Sequence, residues 1–253
     1  MAASPDSWLM PLADGGPGPS AVGRVTLVCC PYAGAAPTAF LPLGRALAGA
    51  APGVRVLVAQ LPGRGRRVRE PLESSLTALA DSLAAVVAAE PGPVVLYGHS
   101  MGALLAYAVA RAVRPAHLAV SGCCPPGAPR PAGPWHTRSD EELVAGMVRL
   151  GAAREPFADP DIRALALPVL RADLRAAERW APEPGPPLDC PVTAVAGDRD
   201  PEAPPRTVSG WAWLTRGGYR RETLHGGHFL VEECLPELAA VLDGVIRRTV
   251  PAR

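Results

Sequence analysis

Short apolar runs of strand length alternate with longer runs of helical spacing along most of this 253-residue chain, and that alternation leaves few folds open. The strand candidates are residues 24–30, 54–59, 94–97, 118–122, 191–196 and 219–224. The helix candidates are 38–49, 74–89, 100–113, 204–215 and 229–247, with Pro115 stopping the third. Strands joined by helical crossovers predict a mostly parallel sheet flanked by helices, the α/β class. A chain of this length can bury a full core, as one large domain or as a domain with an insertion.

The alternation stops between Pro125 and Pro187. That stretch opens with PPGAPRPAGP and closes with PEPGPP, both of which read as stiff, exposed connections. Between them, residues 139–150 and 159–180 have helical spacing, and Ser139 followed by Glu142 predicts a capping box. A helical insertion between two strands commonly covers an active site. Residues 125–187 are therefore expected to form a lid on a core made of residues 1–124 and 188–253.

Gly98-His99-Ser100-Met101-Gly102 falls directly between a strand candidate and the helix candidate after it. A serine on such a turn sits in strained backbone, and the glycines two residues either side remove side chains that would clash. This arrangement resembles the nucleophile elbow of the α/β-hydrolase fold, which lifts the hydroxyl above the sheet's C-terminal edge. The helix N-terminus behind it favours a developing anion.

A serine hydroxyl needs a base to take its proton, and in that fold the chain order is Ser, then acid, then His. His99 should point away from the site, and His117 and His136 are expected at the surface. His225 and His228 remain, in LHGGHFL after the last strand candidate. His228 is favoured, because Gly226 and Gly227 free the loop to present it; His225 would end the strand or support the loop. The acid belongs in PVTAVAGDRDPEAP, where Asp200 is favoured and Asp198 would hydrogen-bond turn amides. Asp200 would hold the imidazole tautomer and stabilise imidazolium. A tetrahedral intermediate also needs two amide donors. Met101 follows the nucleophile, and Ala33, with Gly34 as the near alternative, lies in the loop after the first strand candidate.

With these residues in place, the chain resembles the type II thioesterases, the stand-alone editing enzymes of polyketide and nonribosomal peptide synthesis. The resemblance spans residues 8–242. It rests on PYAG with Phe40, QLPGRGRR, GHSMGALLAY, VSG, LRADLRAAERW, CPVTAVAGDRDP and GGHFL. Its triad falls on Ser100, Asp200 and His228. Ala35 replaces a customary second glycine, and Cys123-Cys124 stands where polar residues are commoner; neither touches the triad. The resemblance implies an α/β-hydrolase fold and hydrolysis of acyl thioesters held on the phosphopantetheine arm of acyl or peptidyl carrier domains, through an acyl-serine. It implies no cofactor and no metal. Arg64, Arg66, Arg67 and Arg69 follow a strand's C-terminal end, where some could meet the arm's phosphate or an acidic carrier surface. A solvated charge run, or pairing with acids of the lid, is the rival reading of the same arginines.

Three other readings use the same residues: a general carboxylesterase or lipase, a chain-terminating synthase domain, and a non-catalytic binding protein. The start at Trp8 with no carrier module before it argues against the second, and an intact Ser, Asp and His against the third. The net charge of +1 gives no field to recruit nucleic acid or an acidic membrane. No apolar stretch reaches membrane-spanning length, and the first sixteen residues lack a secretory pattern, so a cytoplasmic monomer is expected. The six cysteines show neither redox nor zinc spacing and read as free thiols, mostly buried. Lysine is absent and every basic residue other than histidine is arginine, a sign of genomic base composition and not of chemistry.

Overall fold

The computed structural model describes residues 8–14, 25–50, 53–129, 133–153 and 155–250. The first seven residues, the expected strand start at Arg24 and residues 130–132 of the Pro-rich opening lie outside the described residues.

Seven strands form one sheet: β1 (Leu9–Asp14), β2 (Thr26–Cys30), β3 (Arg55–Ala59), β4 (Val94–His99), β5 (His117–Ser121), β6 (Val192–Gly197) and β7 (Tyr219–Leu224). Their spatial order is β1-β3-β2-β4-β5-β6-β7, and every neighbouring pair is parallel except β1 with β3. β1 was not expected. It carries Pro11 and a register shift, both tolerable because it is an edge strand whose outer side needs no ladder donors.

The main helices are α1 (Leu41–Ala50), α2 (Leu76–Val87), α3 (Met101–Val113), α4 (Asp140–Arg149), α5 (Pro160–Arg179) and α6 (Leu235–Thr249). Alternate residues of each central strand feed opposite faces. Val28, Cys30 and Leu96 pack with α2 and α3, whereas Leu27, Cys29, Val95 and Tyr97 pack with α1 and α6. That is the pattern of a parallel sheet buried on both sides. The expected helix at 204–215 is only a short turn (Pro205–Val208) followed by 3-10 helix (Ser209–Leu214), with Trp211 fully buried. The expected helix at 229–247 breaks at Cys234, before Pro236.

The segment between β5 and β6 is helical, as its spacing predicts. Ser139 Oγ accepts from the Glu142 amide while the Glu142 carboxylate accepts from the Ser139 amide, completing the capping box at α4. Asp159 caps α5 by accepting from the amides of Asp161 and Ile162. Trp135, Leu143, Met147, Leu167 and Leu170 give this segment its own small apolar cluster, and Ala33 of the loop after β2 packs against it.

The chain leaves β2 for β3 on one side and returns to β4 on the other. The C-terminal ends of β2 and β4 therefore flank a topological switch point, the position where α/β sheets bind ligands.

Candidate active site

Ser100 stands at that switch point, between the end of β4 and the start of α3, with φ 54° and ψ −121°. A positive φ is costly for a residue with a side chain, and the surrounding structure holds it. Its amide donates to the Ser121 carbonyl (2.9 Å), and its carbonyl accepts from the Ala103 amide (2.9 Å). The flanking glycines are sterically required. A Cβ on Gly98 would lie 2.0 Å from the Gly102 carbonyl oxygen, and one on Gly102 would lie 2.0 Å from the Cys30 carbonyl oxygen. The chain can make this turn only where backbone touches backbone.

Ser100 Oγ is 3.0 Å from His228 Nε2, and His228 Nδ1 is 2.9 Å from Asp200 Oδ2. With Nδ1–H donated to the carboxylate, Nε2 is left to accept the serine proton. Asp200 is positioned by the turn after β6, which is bonded to the turn after β7: the Asp198 and Arg199 amides donate to the carbonyls of Leu224 and Gly226. Its second oxygen accepts from the amides of Glu202 (2.9 Å) and Ala203 (3.2 Å). Burial pushes the Asp200 carboxyl up. The His228 hydrogen bond and charge, with those two amides, outweigh it and hold the group below its ordinary value.

The imidazole is held by rings. Phe229 meets His228 edge-on with centroids 5.2 Å apart, and His99 lies beneath it at 5.5 Å. His99 is fully buried and turned from the serine, its Nδ1 2.8 Å from Ser121 Oγ, which also pairs with the Tyr97 hydroxyl. Burial lowers the His99 pKa to about 3, so the ring beside His228 carries no charge at neutral pH.

Two expectations about histidines are corrected. His117 is buried, not exposed, with Nε2 2.9 Å from Thr193 Oγ1, and burial lowers its pKa to about 4. His136 is half-buried, 2.5 Å from the Glu178 carboxylate of α5. His225 does support the loop. It pairs with Asp198 at 2.7 Å, and Asp198 also accepts from the Gly226 amide.

A cavity of about 360 Å³ opens on Ser100 and His228. Ala33 and Met101 line it. Met101 occupies the first position of α3, where its amide has no intrahelical acceptor. Gly34 is excluded from that role, since its amide donates to Asp173 Oδ2 at 2.8 Å. The roof comes from the segment between β5 and β6 through Trp135, Met147, Leu150, Leu174 and Trp180. Cys123 and Cys124 reach the wall, and none of the six cysteines is in a disulfide. Burial raises the thiols of Cys30 to about 12 and Cys190 to about 11, so neither is a thiolate at neutral pH.

The arginines divide. Arg64 is buried and doubly bonded to Asp173 of α5, at 2.5 and 2.7 Å, so it faces no external phosphate. The rival expectation, pairing with an acid of the insertion, describes it. Arg67 is also buried, bonded to Glu70 and the Gln60 carbonyl and stacked 3.8 Å over Trp8. Arg66 and Arg69 are exposed. Asp173 lies in LRADLRAAERW, one of the stretches that carry the resemblance, but was expected to play no part in the site, although its position carried a signal. It falls on the stripe of Leu167, Leu170 and Ala177, where an acid is out of place unless it has a buried partner.

Among the described residues no helix is long and apolar enough to cross a membrane, and no cluster of three or more histidine, cysteine or acidic residues could hold a metal ion. The profile of the thioesterase domain family matches residues 25–246. Thioesterase PikA5 of Streptomyces venezuelae is 37% identical over 226 residues, 85% of this chain and 78% of that one. The RedJ thioesterase of the prodiginine pathway of Streptomyces coelicolor superposes with a TM-score of 0.78 at 39% identity, covering 87% of this chain and 85% of that one. The type II thioesterase BorB from the borrelidin biosynthetic cluster superposes with a TM-score of 0.82 at 36% identity, covering 97% and 98%.

Proposed function

The chain belongs to the thioesterase family and is a hydrolase of α/β-hydrolase fold; from that premise we propose that it removes acyl groups from carrier-bound thioesters in polyketide or nonribosomal peptide synthesis, as an editing enzyme. The observation that carries the reading is the hydrogen-bonded line Ser100–His228–Asp200, opening on a covered cavity. Of the relatives named above, RedJ comes from the prodiginine biosynthetic pathway and BorB, a type II thioesterase, from the borrelidin biosynthetic cluster.

In this reading Ser100 Oγ attacks the thioester carbonyl as His228 Nε2 takes its proton. The carbonyl oxygen becomes an anion received by the amides of Ala33 and Met101. Collapse breaks the carbon–sulfur bond, His228 returns the proton to the departing thiolate, and acyl-serine remains. Water, deprotonated by His228, attacks in turn and releases the acid. The neutral His99 beneath suits this cycle, since a second positive ring would oppose the imidazolium. Residues 125–187 act as the lid that keeps the cavity covered. Of the four arginines, exposed Arg66 and Arg69 are the ones left to meet the phosphate of the arm or an acidic carrier.

The test is a panel of acyl groups, each offered on carrier protein, on coenzyme A and as a simple oxygen ester, with Ser100→Ala as blank. Carrier thioesters should be hydrolysed with the highest kcat/KM. A clear preference for oxygen esters would make the enzyme a carboxylesterase instead. Arg66→Ala should impair turnover of carrier-bound substrate and spare a free thioester; equal effects on both would remove Arg66 from docking.

A further inference from the structure

We infer that Asp173, acting with Arg64, is a positioning residue for the oxyanion site: its carboxylate fixes the turn that presents the Ala33 amide. The inference rests on the proposed roles of Ser100 and Ala33.

The loop after β2 makes a tight turn in which the Ala35 amide donates to the Tyr32 carbonyl at 3.1 Å. Gly34 has φ +79°, and Ala33 is not among the residues of positive φ. That combination is a type II turn, with Ala33 and Gly34 at its two central positions. Such turns have one soft coordinate, rotation of the central peptide, which carries the Gly34 N–H and the Ala33 carbonyl. Asp173 Oδ2 accepts that N–H at 2.8 Å. Rotation would break a charge-assisted hydrogen bond inside the protein and leave a fully buried carboxylate short of a donor. The same bond anchors the whole turn to α5, and the Ala33 N–H, in the peptide whose Tyr32 carbonyl accepts from the Ala35 amide, is fixed with it before any charge develops on a substrate, which is what an oxyanion donor must be.

Arg64 holds the clamp in place. Its Nη1 and Nη2 bind both oxygens of Asp173, and longer contacts reach the carbonyls of Pro62 and Ala35. Three segments therefore meet on one carboxylate: the loop after β2, the loop after β3, and α5. Stability alone does not explain an ion pair here, because buried pairs can commonly be replaced by packed apolar residues at no loss. What an apolar replacement cannot supply is an acceptor for the Gly34 amide.

That difference supplies the experiment. Arg64→Met with Asp173→Leu removes both charges and the acceptor. Arg64→Met with Asp173→Asn removes the charges but keeps an oxygen for Gly34. Both are measured for Tm and for steady-state thioester hydrolysis. The leucine pair should fold and lose about tenfold to a hundredfold in kcat, somewhat less than outright loss of an oxyanion donor, with KM within about twofold. The asparagine pair should recover most of that loss. Wild-type kcat in the folded leucine pair, or an asparagine pair no better than it, would overturn the inference. Should the leucine pair not fold, Arg64→Met with Asp173→Ala takes its place under the same two outcomes. Ser100→Ala is run alongside: activity surviving there sinks the proposed nucleophile, whereas the paired variants bear on positioning alone.

Discussion

Two histidine–carboxylate pairs sit a few residues apart at the same end of the sheet, and their chemistry differs only through their surroundings. His228 and Asp200 lie 2.9 Å apart with side chains 9% and 0% exposed; His225 and Asp198 lie 2.7 Å apart at 81% and 39%. The outer pair is the shorter of the two, yet water and salt screen it, and exposed pairs of this kind contribute little. The inner pair has what the outer one lacks: a hydroxyl within reach of the free ring nitrogen, two backbone amides on the acid, and aromatic rings on both sides of the imidazole. Contact distance does not identify a catalytic pair. What the pair touches next does.

The sharpest way to break this comparison is to delete each ring in turn. His228→Ala should lower kcat about 10⁴-fold or more, as removal of a triad base does, while His225→Ala stays within about twofold. Similar losses would mean that the loop swings to use either ring. Exchanging the acids comes next. Asp200→Asn should fold normally and lose about 10³- to 10⁴-fold in kcat, because the amide can no longer hold the imidazole in the productive tautomer. Asp198→Asn should leave turnover and Tm unchanged, and an unimpaired Asp200→Asn would transfer the acid's role to Asp198.

Burial also predicts a dependence on pH that the outer pair cannot have. His99 is held neutral to about pH 3, whereas an unfolded histidine gains its proton near 6.5. The unfolded chain therefore binds more protons across that window, and stability falls as pH drops through it. Between pH 7.5 and 4.5 His99 alone should remove about 2–3 kcal/mol from the urea-unfolding free energy, at ~1.4 kcal/mol per pH unit below 6.5. His99→Gln should remove its share of that slope and leave the share of His117, whose pKa burial lowers to about 4; an unchanged slope would show that the His99 ring takes up a proton inside the fold. Asp200 adds a smaller loss at lower pH. Its stabilisation is complete above the ordinary carboxylate range and disappears as pH falls through its depressed value.

What could be read from the sequence was local. Five strands lie within two residues of their expected bounds, and β7 coincides, because apolar runs of strand length and their bounding turns are written in adjacent residues. The turn at Ser100 was legible for the same reason: glycines two residues either side of Ser100 record a backbone contact that admits no Cβ. β1 was missed because Pro11 suits an edge strand and nothing nearby reveals which edge it will join. The errors over His117 and His136, and the failure of the docking expectation for Arg64 and Arg67, share another cause. Polar side chains default to the surface unless a partner is known. Thr193 is 76 residues from His117, Glu178 is 42 from His136, and Asp173 is 109 from Arg64. Arg67 finds Glu70 three residues on, but it also stacks on Trp8, next to the start of β1 and remote in sequence.

The roof of the cavity and the groups beneath it belong to different stretches of chain. Trp135, Met147, Leu150, Leu174 and Trp180 shape the space from the segment between β5 and β6, while serine, acid and base hang from the ends of β4, β6 and β7. A graft of that segment from a relative with another acyl taste should therefore change what is accepted without disturbing what is done to it. One inherited letter cannot be dropped in such an exchange: the transplanted helix must bring an acid to position 173, or the turn below loses its anchor.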